Sequence, residues 1–598
     1  MKSLLLGNAA VARGVYEAGC CLASSYPGTP STEITQNIAQ YEEVYTEWAP
    51  NEKVALEVAF GASLAGKRSF TGMKHVGLNV AADPLFIISY TGVNAGLVIA
   101  VADDPGMHSS QNEQDSRHFA KAAKVPMLEP ADSAECLEFT KFAYVMSEKY
   151  DTPVLIRMCT RIAHSQSLAE LSDRGEPPVK EYVKNAPKYV MMPGFARARH
   201  PIVEQRTCLL TDLAEDTFLN RMEMAAVSNE DAAAPDGGPG SAAGSKNKAA
   251  NTVGIGIIAS GTAYQYVKEV FGDSVSVLKL GLVYPLPEKL ILEFASKVKR
   301  LIVIEELDSF IEDHCRKLGL QVTGKDMFPL CGEISQNMIA EKLGVTVKSG
   351  KAIEDEMPLR PPVMCAGCSH RGVFYTLAKK KAVVLGDIGC YTLGAAPPLS
   401  AIDTTLCMGA STSSLHGFMR AGGKNAVCVI GDSTFAHMGV AGLMDIAYNG
   451  SDSTVLILDN STTGMTGHQE NPTTGYNIRG EAVGKIDLEA LCRAMGIERV
   501  RVIDPYDLTV CDTAITEEMA ASGPSVIIAR RPCALLKTTK AKPPLTVDDN
   551  KCIGCAACMK LGCPAISMKD KKAGVNRTLC VGCDVCRQLC KFGALGGA

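Results

Sequence analysis

Short runs of consecutive apolar residues, most of them β-branched, recur along the chain and alternate with amphipathic stretches of helical period. They include Val154-Leu155-Ile156, Gly254-Ile255-Gly256-Ile257-Ile258, Leu301-Ile302-Val303-Ile304, Val383-Val384-Leu385, Val427-Cys428-Val429-Ile430, Val455-Leu456-Ile457-Leu458 and Ser525-Val526-Ile527-Ile528. A strand with no polar alternate is covered on both faces, as in a parallel sheet flanked by helices. The body of the chain is therefore predicted to be α/β, with three doubly wound units. At the start, Leu4-Leu5-Leu6 reads as a short strand, then a Gly7-Asn8 turn and a helix from about Ala9 to Gly19, not as a secretory signal. The most apolar stretch, Leu85 to Ala102, is broken by Ser89, Thr91, Asn94 and two glycines. It reads as a buried helix end and the strand Gly96–Val101, not as a membrane span.

Length and composition refine this picture. At about 100–200 residues per domain, 598 residues hold several domains. Boundaries fall at Ala225–Asn251, a flexible linker of small and polar residues around Gly237-Gly238-Pro239-Gly240, near Glu354–Pro362, and at Lys540–Pro544. A net charge of −5 carries no basic excess, so neither nucleic acid nor a membrane surface is an expected partner. Of the 23 cysteines, eight lie between Cys552 and Cys590 and the rest are scattered. That distribution fits a cytoplasmic, reducing compartment and one concentrated metal site, not a secreted disulfide scaffold.

The concentrated cysteines have a readable spacing: Cys552-x2-Cys555-x2-Cys558-x4-Cys563-Pro564, then Cys580-x2-Cys583-x2-Cys586-x3-Cys590. Three thiolates at two-residue intervals wrap one corner of a cubane, leaving the fourth cysteine of each run to the other cluster. The predicted sets are Cys552, Cys555, Cys558 and Cys590 for one [4Fe-4S] cluster, and Cys580, Cys583, Cys586 and Cys563 for the second. Zinc knuckles are the alternative, but these usually carry two ligands per knuckle and often histidine, and none occurs here. From Asp548 onward eight Lys or Arg stand against four Asp, which either offset anionic clusters or form a solvated face. The tail resembles bacterial two-cluster ferredoxins over about 50 residues. It departs in the four residues before Cys563 and in Lys591, where proline is usual; neither removes a ligand.

Upstream, Gly431-Asp432-Ser433 follows one apolar strand and Asp459-Asn460-Ser461-Thr462-Thr463-Gly464 the next. A carboxylate and an amide oxygen at neighbouring strand ends suit a hard divalent cation bridging a diphosphate, and strand carboxyl ends are where open α/β sheets bind ligands. The pair resembles the Gly-Asp-Gly to Asn-Asn signature of thiamine diphosphate enzymes, with Ser433 and Asp459 as substitutions. That resemblance implies Mg²⁺ held by Asp432, Asn460 and the main-chain carbonyl of Thr462. Gly464-Met465-Thr466-Gly467-His468-Gln469, Cys365-Ala366-Gly367-Cys368-Ser369-His370-Arg371 and Gly386-Asp387-Ile388-Gly389-Cys390 are similar to the diphosphate domain of 2-oxoacid:ferredoxin oxidoreductases. They imply cofactor contacts from Gly389, Cys390, Gly431, Ser433, Gly464 and Met465. Half a zinc knuckle is the other reading of Cys365-x2-Cys368.

Thiamine chemistry needs an acid that protonates the aminopyrimidine, and a Glu among small apolar residues, with burial raising its pKa, is the expected carrier. Glu57, in Val54-Ala55-Leu56-Glu57-Val58-Ala59-Phe60-Gly61-Ala62, meets that description, although a cap or an exposed helix residue is the commoner reading. Ser25-Tyr26-Pro27-Gly28-Thr29-Pro30-Ser31-Thr32-Glu33 with the Glu57 segment resembles the pyrimidine-binding domain of the same family. The resemblance implies that Glu57 is the activating carboxylate, that Tyr26 and Pro27 touch the cofactor and that Thr29 lies near the substrate carboxylate. Asp103 to Asp115 matches the family's substrate loop but lacks the arginine of pyruvate enzymes. His437 and His468 flank the metal motif, either reaching substrate, with His437 as the catalytic candidate, or serving as hydrogen-bonded loop residues.

Taken in order, the resemblance gives a pyrimidine-binding domain at 1–180, an extension and linker at 181–252, a transketolase C-terminal-like domain at 253–355, a thiamine diphosphate/Mg domain at 356–540 and a two-cluster domain at 541–598. It implies an α subunit that oxidatively decarboxylates aryl 2-oxoacids such as indolepyruvate, with coenzyme A taking the acyl group and ferredoxin the electrons. A smaller β subunit is then expected, in an α2β2 assembly. A branched-chain 2-oxoacid enzyme and a non-catalytic scaffold or electron-transfer subunit are the alternatives. Cys365, Cys368 and Cys390 are read as thiamine-site residues rather than cluster ligands, and oxidisable clusters and thiols favour an oxygen-poor setting.

Overall fold

The computed structural model describes residues 1–225, 254–346, 356–358 and 361–597. Apart from Ala225 itself, the Ala225–Asn251 run lies outside the described residues, as does much of Glu354–Pro362. The chain divides into two compact units, Met1–Glu354 and Asp355–Ala598.

The first unit contains a seven-stranded sheet in the order Leu282–Tyr284, Met127–Leu128, Val154–Cys159, Leu97–Asp103, Ser69–Lys74, Leu22–Ser25, Tyr45–Trp48. All neighbours are parallel except the pair Leu282–Tyr284 and Met127–Leu128. Leu97, Ile99, Val101 and Leu155 pack into one apolar layer, while Val98, Ala100, Val154 and Ile156 pack into another. Alternate residues thus feed opposite faces, the reason the strand sequences have no polar alternate. The helix Glu52–Leu64 starts at Asn51, whose side chain accepts from the Val54 N–H at 2.9 Å, and Ser133–Tyr150 is capped in the same way by Asp132. Beyond Leu22–Ser25 the chain runs to Tyr45–Trp48 on one side and then crosses to Ser69–Lys74 on the other. The carboxyl ends of Leu22–Ser25 and Ser69–Lys74 therefore form a topological switch point, the favoured crevice of such sheets.

This unit also holds the antiparallel pair Lys2–Leu6 with Gln166–Glu170 and a five-stranded sheet: Val322–Thr323, Arg300–Ile304, Ile255–Ser260, Ser276–Leu280, Arg221–Glu223. In the region 181–252, expected to be an extension and linker, the described residues up to Ala225 carry regular elements. Pro193–Glu215 is a 23-residue helix burying Val203, Leu210 and Ala214, and Arg221–Glu223 adds an antiparallel strand to the second sheet. The buried Arg206 of that helix donates to the carbonyls of Asp151 and Ser89. The first two modules also share elements, since Leu282–Tyr284 completes the first sheet. Between them lies a buried ionic network: Arg157 binds Asp103 (2.7 Å) and Glu129 (2.5 Å), while Arg117 binds Asp115 and Glu305 (2.5 Å each).

The second unit holds a fully parallel six-stranded sheet: Thr404–Thr405, Val383–Gly386, Ala426–Gly431, Thr454–Asp459, Ser525–Arg530, Arg499–Ile503. Its switch point lies between Val383–Gly386 and Ala426–Gly431. The tail adds two antiparallel pairs, Leu545–Val547 with Leu595–Gly597 and Ile566–Lys569 with Lys572–Val575. Among the described residues no helix is long and apolar enough to cross a membrane.

Candidate active site

In the second unit, the switch point places Asp387–Cys390 beside Gly431-Asp432-Ser433. Asp387 is buried and accepts from the N–H groups of Ile388, Gly409 (both 2.9 Å) and Ser411 (3.0 Å), which fixes the first loop. Thr434 Oγ1 donates to the Ile388 carbonyl at 3.0 Å and ties the two loops together. The Tyr391 ring fills the corner between them. A Cβ on Gly431 would come 2.7 Å from that ring, so this position admits no side chain.

Asp432 is 2% exposed, and its Oδ1 accepts from the Ser433 N–H at 2.8 Å. Its Oδ2 is buried with no hydrogen-bond partner among the described residues. Burial, reinforced by the nearby Asp459 carboxylate, pushes Asp432 up to about 8, against the pull of the Ser433, Ser461 and Thr462 N–H groups. A buried carboxyl with one oxygen unsatisfied is the donor a divalent cation would complete. Asp459 is committed elsewhere: it accepts from Arg530 Nε (2.8 Å) and from the Ser461 N–H and hydroxyl. Asn460 is buried, its Oδ1 accepting from the Thr462 N–H at 3.2 Å while its Nδ2 points to His370 Nε2 at 3.5 Å. Burial drives His370 down to about 4, so it is neutral and accepts from the amide, orienting Asn460. Sequence reasoning quoted His370 within its motif without giving it this part.

His437 is buried on a π-helical turn, Phe435–Gly439, just beyond Asp432. Such turns are frequent at functional sites. Met465 is half exposed, and a Cβ on Gly464 would stand 3.4 Å from Cys390 Sγ. Four thiols gather next to this site. Burial raises Cys390 to about 11 and Cys368 to about 12, and their neighbours Cys365 and Cys533 act on them or on each other in the same direction. Cys533, which also feels Asp432 and lies 3.7 Å from His468 Nε2, belongs to no motif; only its place after the strand Ser525–Arg530 marks it.

The tail brings its cysteines together crosswise. Cys552, Cys555, Cys558 and Cys590 line one cavity with Val547, Ile553 and Leu595. Cys563, Cys580, Cys583 and Cys586 line another, whose wall includes Ala366 and Gly367. Main-chain N–H groups of Ala573, Ala594 and Leu545 point at Cys552, Cys590 and Cys580 Sγ, at 3.4, 3.2 and 3.5 Å. At Cys590 burial pushes the thiol up, but the N–H groups around Ala594 and Leu595 outweigh it and hold the thiol below its usual range. The tail is fastened to the rest of this unit: Arg371, just after the Cys365–Cys368 segment, donates to the Leu561 carbonyl (2.7 Å), and Gln588 of the tail donates to the Tyr506 carbonyl (2.7 Å).

In the first unit, Tyr26-Pro27-Gly28-Thr29 follows Leu22–Ser25 and is buried except at Thr29. The loop after Leu97–Asp103 is folded on Asp104, which accepts from the Ser109 N–H (2.9 Å), Ser110 Oγ (2.6 Å) and Thr160 Oγ1 (2.7 Å). Ser109 Oγ donates to the Thr29 carbonyl at 3.2 Å, joining the two loops. Glu57 departs from the sequence expectation of burial. Its side chain is 46% exposed on the outer face of Glu52–Leu64 and paired with Lys53, because the apolar residues of that helix turn the other way.

Comparison with known proteins follows the same division. Residues 13–214 match the family model "Pyruvate flavodoxin/ferredoxin oxidoreductase, thiamine diP-bdg", and residues 387–529 match "Thiamine pyrophosphate enzyme, C-terminal TPP binding domain". The chain is 38% identical to the indolepyruvate oxidoreductase subunit IorA of Archaeoglobus fulgidus, over 98% of this chain and 96% of that one. It is 40% identical to the subunit of the same name from Methanothermobacter marburgensis (99% and 97%) and 37% identical to that from Pyrococcus horikoshii (99% and 96%). Each of these relatives is named as a subunit, which implies a partner chain. With two thiamine-binding modules in place and relatives of this similarity along nearly its full length, the chain belongs to the indolepyruvate oxidoreductase subunit IorA family of thiamine diphosphate-dependent 2-oxoacid:ferredoxin oxidoreductases.

Proposed function

We propose that this chain is the thiamine-bearing α subunit of a cytoplasmic α2β2 enzyme that converts an aryl 2-oxoacid such as indolepyruvate, with coenzyme A, to the aryl-acetyl-CoA and CO₂. The two electrons released pass singly to ferredoxin. The observation that carries this reading is the buried, half-satisfied Asp432 at a strand switch point, in the same unit as two cavities each lined by four thiols.

Asp432, Asn460 and the Thr462 carbonyl would hold Mg²⁺, with His370 keeping the Asn460 amide turned so that its oxygen is available. Gly389, Cys390, Gly431, Ser433, Gly464 and Met465 would border thiamine diphosphate in this unit, and Tyr26 and Pro27 in the other. When bound, that cofactor supplies the electron sink for loss of CO₂. Glu57 would exchange a proton with the aminopyrimidine nitrogen; exposed in the single chain, it needs the assembly to cover it. Thr29 would orient substrate, and His437 would hold a proton at the substrate oxygen.

The crosswise thiol sets suit two [4Fe-4S] clusters, with main-chain N–H groups stabilising their sulfurs. The cavity holding Cys563, Cys580, Cys583 and Cys586 adjoins Ala366-Gly367, so of the two tail clusters its cluster would stand nearer the thiamine site. Cys365, Cys368 and Cys390, read from the sequence as thiamine-site residues rather than cluster ligands, gather with Cys533, which feels Asp432, and the four suit a further cluster on the route.

The experiment is anaerobic purification with the partner subunit, analysis of thiamine, Mg²⁺ and iron, and addition of indolepyruvate, phenylpyruvate or 2-oxoisovalerate at equal concentration while cluster absorbance is followed. Bleaching and acyl-CoA formation with the aryl acids support the proposal. Preference for 2-oxoisovalerate moves it to a branched-chain enzyme, and absence of both thiamine and Mg²⁺ makes it a scaffold. Iron in excess of two [4Fe-4S] clusters supports the third thiol group.

A further inference from the structure

Lys74 ends the strand Ser69–Lys74, which lies between Leu22–Ser25 and Leu97–Asp103 in the sheet. Its side chain therefore starts at the topological switch point of the first unit, between the two loops that follow those strands. It runs under the first of them, where a Cβ on Gly28 would stand 3.2 Å from Lys74 Cγ. It ends at the second, where Nζ donates to the Ser109 carbonyl at 2.9 Å. Ser109 in turn holds the Thr29 carbonyl, so the ammonium, Thr29 and Ser109 meet at one place. Ser109 itself is exposed.

The residue is only 9% exposed, yet the structure gives this cation little to bind. An ammonium has three donors, and one is used. Among the described residues no carboxylate lies within ion-pair distance. Asp104 faces it from the loop and Glu52 from the helix Glu52–Leu64, but Asp104 already accepts from Ser109, Ser110 and Thr160. Burial lowers Lys74 to about 8, against the pull of Asp104 and Glu52, so it stays charged at neutral pH. Burying a cation without a partner is costly, and a chain tolerates it where a ligand completes the pair. Its neighbour strengthens the case for a prepared site: His75, 1% exposed, reaches the Asn112 carbonyl (3.2 Å), so two consecutive residues clamp the same loop.

We propose that Lys74 is the cation that receives the carboxylate of the 2-oxoacid, positioning it beside Thr29. This rests on the reading of the chain as a 2-oxoacid oxidoreductase. Lys74 would act on the ground-state carboxylate, so its loss should fall mainly on KM.

The test uses the assembled enzyme with its partner subunit. Lys74→Met should raise KM for the 2-oxoacid roughly 30- to 100-fold, the scale of losing one side of a buried charged pair, with a smaller change in kcat and the KM for coenzyme A held. Lys74→Arg should recover most of the loss. Inhibition by indole-3-propionate should weaken in Lys74→Met by the same factor, while inhibition by its uncharged primary amide should not. Equal weakening of acid and amide would show that Lys74 only tethers the loop and would overturn the proposal. So would an unchanged 2-oxoacid KM, or a rise confined to coenzyme A, whose phosphates are the other anions present. Wild-type enzyme that turns over no 2-oxoacid refutes the functional reading itself, a result separate from any acid-to-amide ratio.

Discussion

Replacing Arg117 with methionine would strand two buried carboxylates. The guanidinium, itself 1% exposed, donates to both oxygens of Asp115 (2.5 to 3.1 Å), to Glu305 Oε2 (2.5 Å) and to the carbonyls of Glu306 (3.0 Å) and Asp308 (3.2 Å). Removing one member of a buried ion pair costs about 3–5 kcal/mol, because the partner keeps its desolvation penalty and loses its counter-charge. Two partners are stranded here, which argues for the top of that range. Against this, Arg157 remains 3.9 Å from Asp115, and Glu305 still accepts from the Ile311 and Glu312 N–H groups. The expected loss is therefore about 4 kcal/mol.

The pH dependence gives a sharper signature. In the native chain burial lifts Asp115, but Arg117 and Arg157 outweigh it and hold this carboxyl far below its usual range. Its contribution is complete above the unfolded value and fades only at strongly acidic pH. Glu305 lies above its ordinary value, because burial exceeds the pull of Arg117, so it already favours mild acidification. Without Arg117 both folded-state values rise, and stability should climb more steeply as pH falls from 7 to 5 than in the native protein. The chain has one tryptophan, Trp48, on the edge strand of the first sheet, so urea denaturation followed by its fluorescence reports on the right unit. A loss below about 1 kcal/mol, or a pH slope equal to that of the native chain, would refute the reasoning.

Three further outcomes are expected. Glu57→Gln should lower turnover by at least about 10²-fold, the usual scale of a general acid–base group, with thiamine and iron content retained; unchanged activity would remove it from the mechanism. Asp432→Ala should abolish Mg²⁺-dependent retention of thiamine diphosphate on gel filtration while leaving cluster absorbance intact. In Cys563→Ala, the damaged cluster should be the one held by the later run, Cys580 to Cys586, as a change confined to one electron paramagnetic resonance signal; damage to the Cys552–Cys558 cluster alone would contradict the crosswise pairing.

Much of this was readable from the residues. Strands such as Val427–Ile430 advertised coverage on both faces, and the pair Asp432 and Asn460 could be picked out because each follows such a strand. The cysteine spacing named the same two groups of four that line the cavities. What escaped were charged and polar residues whose burial depends on distant partners. Lys74, Arg117 and Arg157 look like surface residues in sequence, since nothing local marks the loops and strands that close over them. The helix Pro193–Glu215 was read as part of an extension because Pro201 and several arginines dilute its apolar face, although Arg206 is buried through main-chain carbonyls. Cys533 carries no motif, and His370 shows its role only beside Asn460. For Glu57, the small apolar residues around it suggested burial, but the helix turns Glu57 to its outer face beside Lys53.

The tail's two cavities are interlocked through the chain, each built from three cysteines of one run and a fourth from the other. Its first strand, Leu545–Val547, pairs with Leu595–Gly597 across the whole segment. Neither half could therefore be grafted, inherited or cleaved away with a complete set of four cysteines. A nick in the Asp570-Lys571 turn would leave two stretches, each with three cysteines of one set and one cysteine of the other. An engineer moving the proposed electron relay to another enzyme would need at least the whole of 545–597.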